Sequence, residues 1–379
     1  KGGASRVLGR ELDRSAMNFS FGDLIETEVF FAPVIAWQDA SHVLALVTDR
    51  GRCIPHRFGL DGTVAALAGG DIVASSMAAA GDAVAVIATD RGRPGEVYAV
   101  EDGALRPLTS DGSRWLRPYR RDPEPVDVPH PDGHEVGAWL LPAGRGRRGP
   151  LVLQIHGGPH GSHSPTPWLE MVALAGAGIH VLYANPRGSA GYGEKFTGAI
   201  HGAWGEDDDS DLMRAVDWAI EQGLADPKRI GVMGLSYGGY MTNWLLGHHP
   251  GRFAAGVSEN PVTDWIGMFG GSDMTDLFGE RFVGIGTLPD GLREFLKRSP
   301  WVDIHRNHAP LLLLQSENDM RCPPAQTELV FAILRSLGRP VEMVRYPGEP
   351  HGMLGVGRPD RRVDRLQRIV GWFERHLRA

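Results

Sequence analysis

Two cysteines in 379 residues, Cys53 and Cys322, lie too far apart in sequence to suggest a disulfide framework. A reducing compartment, the cytoplasm, is the expected location. No apolar run approaches the roughly 20 residues that cross a bilayer, so no membrane partner is expected. A basic excess is missing too. Lys and Arg number 39 against 46 Asp and Glu, for a net charge of −7, with no basic tail or stripe. That argues against nucleic acid as the main partner. No signal-peptide pattern is visible, and the chain opens on Lys1 rather than Met, so this end does not fix a compartment by itself. What is present is the apolar fraction of an ordinary globular protein, 42%. The length predicts two domains.

The first part of the chain repeats itself. "VLALVTDRGR" from residue 43 matches "VAVIATDRGR" from residue 84, an offset of 41 residues. The same offset relates Asp61-Gly62 to Asp102-Gly103 and Leu67 to Leu108. Both copies read as short strands separated by Asp-Gly turns. A period near this length with several strands per unit is that of a β-propeller blade, and two blades do not close a ring. Residues 1–121 are therefore expected to form an incomplete propeller segment of about two blades.

Near residue 122 the texture changes. "RDPEPVDVPHPDG" reads as a Pro-rich joint. After it, apolar runs such as "PLVLQIHGG", "IHVLYANPRG", "RIGVMGLS" and "PLLLLQSEND" alternate with amphipathic stretches near 168–177, 208–222, 237–248, 323–337 and 360–377. Near-continuous apolar strands alternating with helices predict a mostly parallel sheet covered on both faces. Residues 122–379 are thus expected to form an α/β domain.

The chemistry is concentrated in this part. Gly234-Leu235-Ser236-Tyr237-Gly238 is Gly-x-Ser-x-Gly between a strand and a helix, the context of a nucleophile elbow. There a serine hydroxyl stands exposed on a tight turn, and the helix that follows favours developing negative charge. A serine hydroxyl needs a base. In the α/β-hydrolase fold, which this elbow leads us to expect for residues 122–379, the acid and the histidine follow in that order, in loops beyond strand ends. "SENDMRCP" after one strand offers Asp319, with Glu317 as a weaker alternative. "GEPHGM" after the next offers His351. Ser236 is then the nucleophile, His351 the base and Asp319 the group that orients it. Two N–H donors must receive the oxyanion. Tyr237 supplies one, and the loop His156-Gly157-Gly158 the other, with Gly158 preferred over Gly157.

Other clusters carry less. His156, His160 and His163 lack carboxylates or cysteines at ligand spacing, so no metal and no cofactor is expected. "GEDDDSD" (205–211) reads as a solvated helix start. Arg187 in "NPRGSAGYG" reads as a structural anchor for loops near the site. "NPVTDWIGMFGGSDMTDLFGERF" (260–282) is bulky and apolar, and Val262, Trp265, Phe278 and Phe282 are read from it as a substrate-side wall.

The motifs "HGGPHG", "NPRGSAGYG", "WGEDDDSDLMRAVDW", "GLSYGGYMTNW", "SENDMRCP" and "GEPHGM" together resemble the prolyl oligopeptidase family of serine peptidases, closest to its acylaminoacyl-peptidase branch. The resemblance covers nearly all of 122–379. It implies a preceding propeller that restricts access to short peptides, in agreement with the repeat, although the propeller segment here is too short to close. It implies a serine peptidase acting on short peptides, with acylaminoacyl exopeptidase activity expected ahead of carboxypeptidase or oligopeptidase activity. It also implies that Arg321 binds the acyl carbonyl of a blocked N-terminus. A guanidinium there is equally suited to a terminal carboxylate. An esterase, or a non-catalytic binding module on the same fold, are the remaining alternatives. A homo-oligomer is expected.

Overall fold

The structure is a computed structural model that describes residues 5–23, 34–144, 148–166, 168–274 and 283–378. The chain divides into two compact units, one of residues 1–123, 161–168 and 190–197, the other of residues 124–160, 169–189 and 198–379.

The first unit is antiparallel. β1 (Ile35–Trp37), β2 (His42–Asp49), β3 (Arg52–Gly59) and β4 (Val64–Ala66) pair in succession. β5 (Ile72–Ala80), β6 (Ala83–Asp90), β7 (Glu96–Glu101) and β8 (Ala104–Pro107) do the same. Each copy of the repeat is thus a four-stranded meander, and a single parallel pairing, Cys53 to Val73, links them. The Asp-Gly turns fall between β3 and β4 and between β7 and β8, with Gly62 and Gly103 at positive φ. Leu46, Cys53, Val73, Val86 and Tyr98 form the buried centre. A short helix, α1 (Asp111–Leu116), follows. No periodic apolar pattern marks it in the sequence.

The second unit is built on an eight-stranded sheet. Its strands are β9 (Glu124–Pro129), β10 (Glu135–Leu141), β11 (Gly149–Ile155), β12 (His180–Asn185), β13 (Ala225–Leu235), β14 (Ala255–Glu259), β15 (Leu311–Ser316) and β16 (Val341–Tyr346). Their order is β16-β15-β14-β13-β11-β12-β10-β9. From β16 to β12 every neighbour is parallel, and β10 and β9 are added antiparallel at one edge. The inner strands β11, β12, β14 and β15 are buried at every residue, as their continuous apolar sequences require. The helices are α2 (Leu169–Gly176), α3 (Asp207–Glu221), α4 (Tyr237–His248), α5 (Trp265–Gly271), α6 (Pro324–Ser336) and α7 (Pro359–Leu377), with shorter turns between them.

One reading of the sequence needs correction. The Pro-rich joint contains strand β9, with Pro125 and Pro129 in it. Proline removes a ladder donor but is tolerated on an edge strand, and β9 is the edge.

Candidate active site

Parallel strands end on the same side of a sheet. Five of them deliver the candidate residues there: His156–Gly158 after β11, Ser236 after β13, Asn260 after β14, Asp319 after β15 and His351 after β16. The β11–β13 register pairs Ile155 with Gly234, which brings the two glycine-rich loops alongside each other. A Cβ on Gly157 would stand 3.8 Å from Ser236 Cβ.

Ser236 has φ 64° and ψ −116°, the strained turn between β13 and α4. Its N–H donates to the Glu259 carbonyl at 3.0 Å, and its carbonyl accepts the first helical bond from Tyr240 N–H at 2.8 Å. The flanking glycines are required by contact. A Cβ at Gly234 would lie 2.6 Å from Gly238 Cα, and one at Gly238 would collide with the Ile155 carbonyl. Gly239 is pressed against the Glu259 carbonyl in the same way, and a Cβ there would stand 2.8 Å from that oxygen. The second glycine of the Gly-Gly pair therefore lets α4 sit down on the end of β14.

Asp319 and His351 meet. Asp319 Oδ2 and His351 Nδ1 are 2.6 Å apart. The other oxygen, Oδ1, accepts the backbone N–H of Arg321 at 2.9 Å and of Cys322 at 2.8 Å. The carboxylate side chain is fully buried, whereas the imidazole is a quarter exposed. Glu317 turns away from this pair and bridges to Arg345 at 2.9 Å. Asn260 carries no motif that marks it in the sequence. Its Nδ2 donates to the His351 carbonyl at 3.0 Å, and its Oδ1 accepts Ser316 N–H at 2.8 Å, so it ties the His351 loop to the end of β15. Cys322 is fully buried, and burial raises its thiol well above the usual range, so it is held as a neutral packing group.

The loop after β11 is anchored through its histidine. His156 meets Ser189 Oγ at 2.9 Å and the Gly157 carbonyl at 2.7 Å. Burial lowers its pKa to about 4, so it is neutral at working pH. Gly158 has φ 127°, open to glycine only. His160 bonds the Gly188 carbonyl at 2.8 Å, while His163 belongs to the other unit and packs on Trp168.

The acidic run is not merely a solvated helix start. Asp208 and Asp211 are fully buried. Asp208 accepts the Tyr237 hydroxyl at 2.6 Å and the Gly205 N–H at 2.8 Å. Asp211 accepts the Arg187 N–H at 2.7 Å and its guanidinium at 2.8 Å. Arg187 is thus the loop anchor that the sequence predicts, and a carboxylate with such partners can be buried where a solitary one cannot.

Arg321 extends from the Asp319 loop, about one-third exposed, with Nε 2.6 Å from Asp273 Oδ1. Val262 and Trp265 are 2% and 1% exposed and belong to the main core, where Trp265 meets Trp204 edge to face at 5.2 Å. Phe278 and Phe282 lie outside the described residues.

A parallel sheet whose central strand ends in a strained serine, with an aspartate–histidine pair beyond the next strand ends, defines an α/β-hydrolase. The family profile described as Prolyl oligopeptidase family matches residues 166–379. The chain belongs to the prolyl oligopeptidase family of serine peptidases. It is 38% identical over 291 residues to the uncharacterized peptidase YuxL of Bacillus subtilis (strain 168), covering 75% of this chain and 44% of that protein. It is 33% identical over 241 residues to the acylamino-acid-releasing enzyme of Arabidopsis thaliana, 62% of this chain and 31% of that one. Among solved structures, an acylaminoacyl peptidase in complex with Z-Gly-Gly-Phe-chloromethyl ketone superposes with TM-score 0.83 at 29% identity, covering 92% of this chain and 56% of that chain. The uncomplexed Pyrococcus horikoshii acylaminoacyl peptidase gives the same TM-score, 0.83, and the same identity, 29%. The chain therefore spans about half or less of the length of these relatives. Among its described residues, no helix is long and apolar enough to cross a membrane.

Proposed function

We propose that this chain is the catalytic part of an acylaminoacyl-type peptidase that releases blocked residues from short peptides through an acyl-enzyme. Ser236 Oγ attacks the scissile carbonyl, and its proton passes to His351 Nε2. The Tyr237 and Gly158 N–H groups receive the oxyanion. The imidazolium then protonates the leaving amine, and water repeats the sequence to free the acyl product. Asp319 holds the imidazole by Nδ1 and stabilises its cation. The observation that carries this reading is the 2.6 Å pairing of His351 with an Asp319 carboxylate whose other oxygen is already fixed by two backbone donors.

The substrate mode rests on Arg321. Its guanidinium is already paired with Asp273. A peptide carboxylate brought there would face that aspartate across a short distance, and like charges repel. A neutral acyl carbonyl accepts a guanidinium N–H without that penalty. The pairing favours the blocked N-terminus over a carboxypeptidase, in keeping with the names of the acylamino-acid-releasing relatives.

A panel of N-acetylated, free and C-amidated peptides tests this. N-acetylated substrates should be preferred, amidation should change kcat/KM little, and Arg321→Ala should lower cleavage of N-acetyl substrates by about ten- to a hundredfold, the worth of one charge-assisted bond. Cleavage that depends on a free terminal carboxylate would replace this reading with a carboxypeptidase. Turnover of esters without peptides would replace it with an esterase.

A further inference from the structure

The turn that joins β9 to β10 carries His130, Asp132 and His134 in five residues, and the function described above uses none of them. It is a tight hairpin, closed by His130 N–H to the His134 carbonyl at 2.9 Å and Gly133 N–H to the His130 carbonyl at 3.0 Å, with Gly133 at φ 86°. The two imidazoles stack at 4.6 Å with 28° between their planes. One ligand atom from each of the three side chains lies within 4.8 Å of the other two. His130 Nδ1 and Asp132 Oδ2 are already 3.3 Å apart.

We propose that His130, Asp132 and His134 form a binding site for a borderline divalent transition metal such as Zn2+, remote in sequence and role from the serine and its partners. Ligand atoms on a tetrahedral zinc, with bonds of about 2.0–2.2 Å, stand roughly 3.3–3.5 Å apart. The separations that involve His134, at most 4.8 Å, are the ones left to close, and Asp132, the most exposed of the three at 57%, has room to move toward it. Two imidazoles and a carboxylate suit zinc, cobalt, nickel or copper and not calcium or magnesium, which take oxygen ligands.

The surroundings are those of a metal site's supporting shell. His134 Nε2 lies 3.0 Å from the buried Asp211 carboxylate, and His130 Nε2 lies 3.0 Å from Ser210 Oγ, both on α3. A carboxylate or hydroxyl on the far nitrogen is what fixes the orientation of a ligating imidazole. The local charge also suits a dication. In this network Asp132, Asp207 and Asp211 share a single guanidinium, Arg187. Among the described residues these three carboxylates outnumber the guanidinium they share, which favours an added cation. Binding takes Asp132 from Arg187, a contact of 3.3 Å, and takes His130 Nδ1 from the Asp132 N–H at 3.2 Å. Arg187 keeps its bonds to Asp211 and Asp207.

The test is titration of tag-free, EDTA-treated protein with ZnCl2 by calorimetry, with CoCl2 absorption to read the coordination and CaCl2 as control. One zinc per chain with a micromolar Kd is expected, weakened at least tenfold by Asp132→Asn and by His134→Gln, with no heat from calcium. Asp132 is exposed, so Asp132→Asn reads the site even if the histidine variant folds poorly. Ser236→Ala should bind zinc like the parent, which separates this site from the catalytic reading. Zinc binding of undiminished affinity in both ligand variants, or no binding tighter than millimolar, overturns the proposal.

Discussion

The hydroxyl of Tyr237 donates to the Asp208 carboxylate at 2.6 Å, deep in the second unit and fully out of solvent. Tyr237 is the residue directly after the proposed nucleophile, and its backbone N–H is the proposed oxyanion donor. Its ring is also held edge to face by Trp204 at 5.0 Å. Asp208 thus fixes, through a side chain, the peptide that must point at the developing charge. Tyr237→Phe and Asp208→Asn should each lower kcat more than they raise KM, by roughly tenfold. The double variant should lose little more than either single one, since both remove one interaction. Additive losses would show that the two side chains act separately.

Asp208 also makes a pH prediction. Burial pushes its pKa up to about 7, against the pull of the Tyr237 hydroxyl and the Gly205 N–H. A carboxyl raised in the folded state holds its proton more tightly there than in the unfolded chain. Between about pH 4 and 7 the folded state therefore binds more protons, and stability from this group falls as pH rises through that window. Asp208→Asn should remove that fall. Measured by urea unfolding, the variant should gain on the parent between pH 5 and pH 8. A constant difference across the window would contradict it.

Ser236 carries backbone strain for its position. At φ 64° a residue with a Cβ is held in a region that costs about 1–3 kcal/mol, which glycine escapes. Ser236→Ala and Ser236→Gly should both be inactive. Ser236→Gly should be the more stable of the two by about 1 kcal/mol in chemical denaturation. Equal midpoints would mean that the elbow is not strained.

Asp273 should tune the substrate mode. Asp273→Asn leaves the Arg321 guanidinium uncompensated, so substrates with a free terminal carboxylate should gain several-fold in kcat/KM relative to their amides. An unchanged ratio would remove Asp273 from the specificity argument.

Much of this is legible in the sequence because the features are local. Strands buried on both faces are continuous apolar runs, and α4 begins and ends where the pattern after the elbow places it, Tyr237–His248. The elbow glycines can be read because a strand-to-helix turn leaves no room for a Cβ there. What the sequence hides depends on partners far away in the chain. Asp208 and Asp211 look like surface acids until Tyr237 and Arg187 are seen beside them. Asn260 looks like a strand-end residue until its amide meets the His351 carbonyl, 91 positions later. Strand β9 is masked by prolines that only an edge position tolerates.

The central claim is that Ser236 is a nucleophile activated by the His351–Asp319 pair. Its most direct test is labelling with a fluorophosphonate, followed by intact-mass and peptide analysis. The account predicts one adduct per chain, on the peptide containing Ser236. The adduct should be absent from Ser236→Ala and should form far more slowly in Asp319→Asn, where the oriented imidazole is lost. A folded parent protein that takes no label, or that takes it on another residue, would contradict the account.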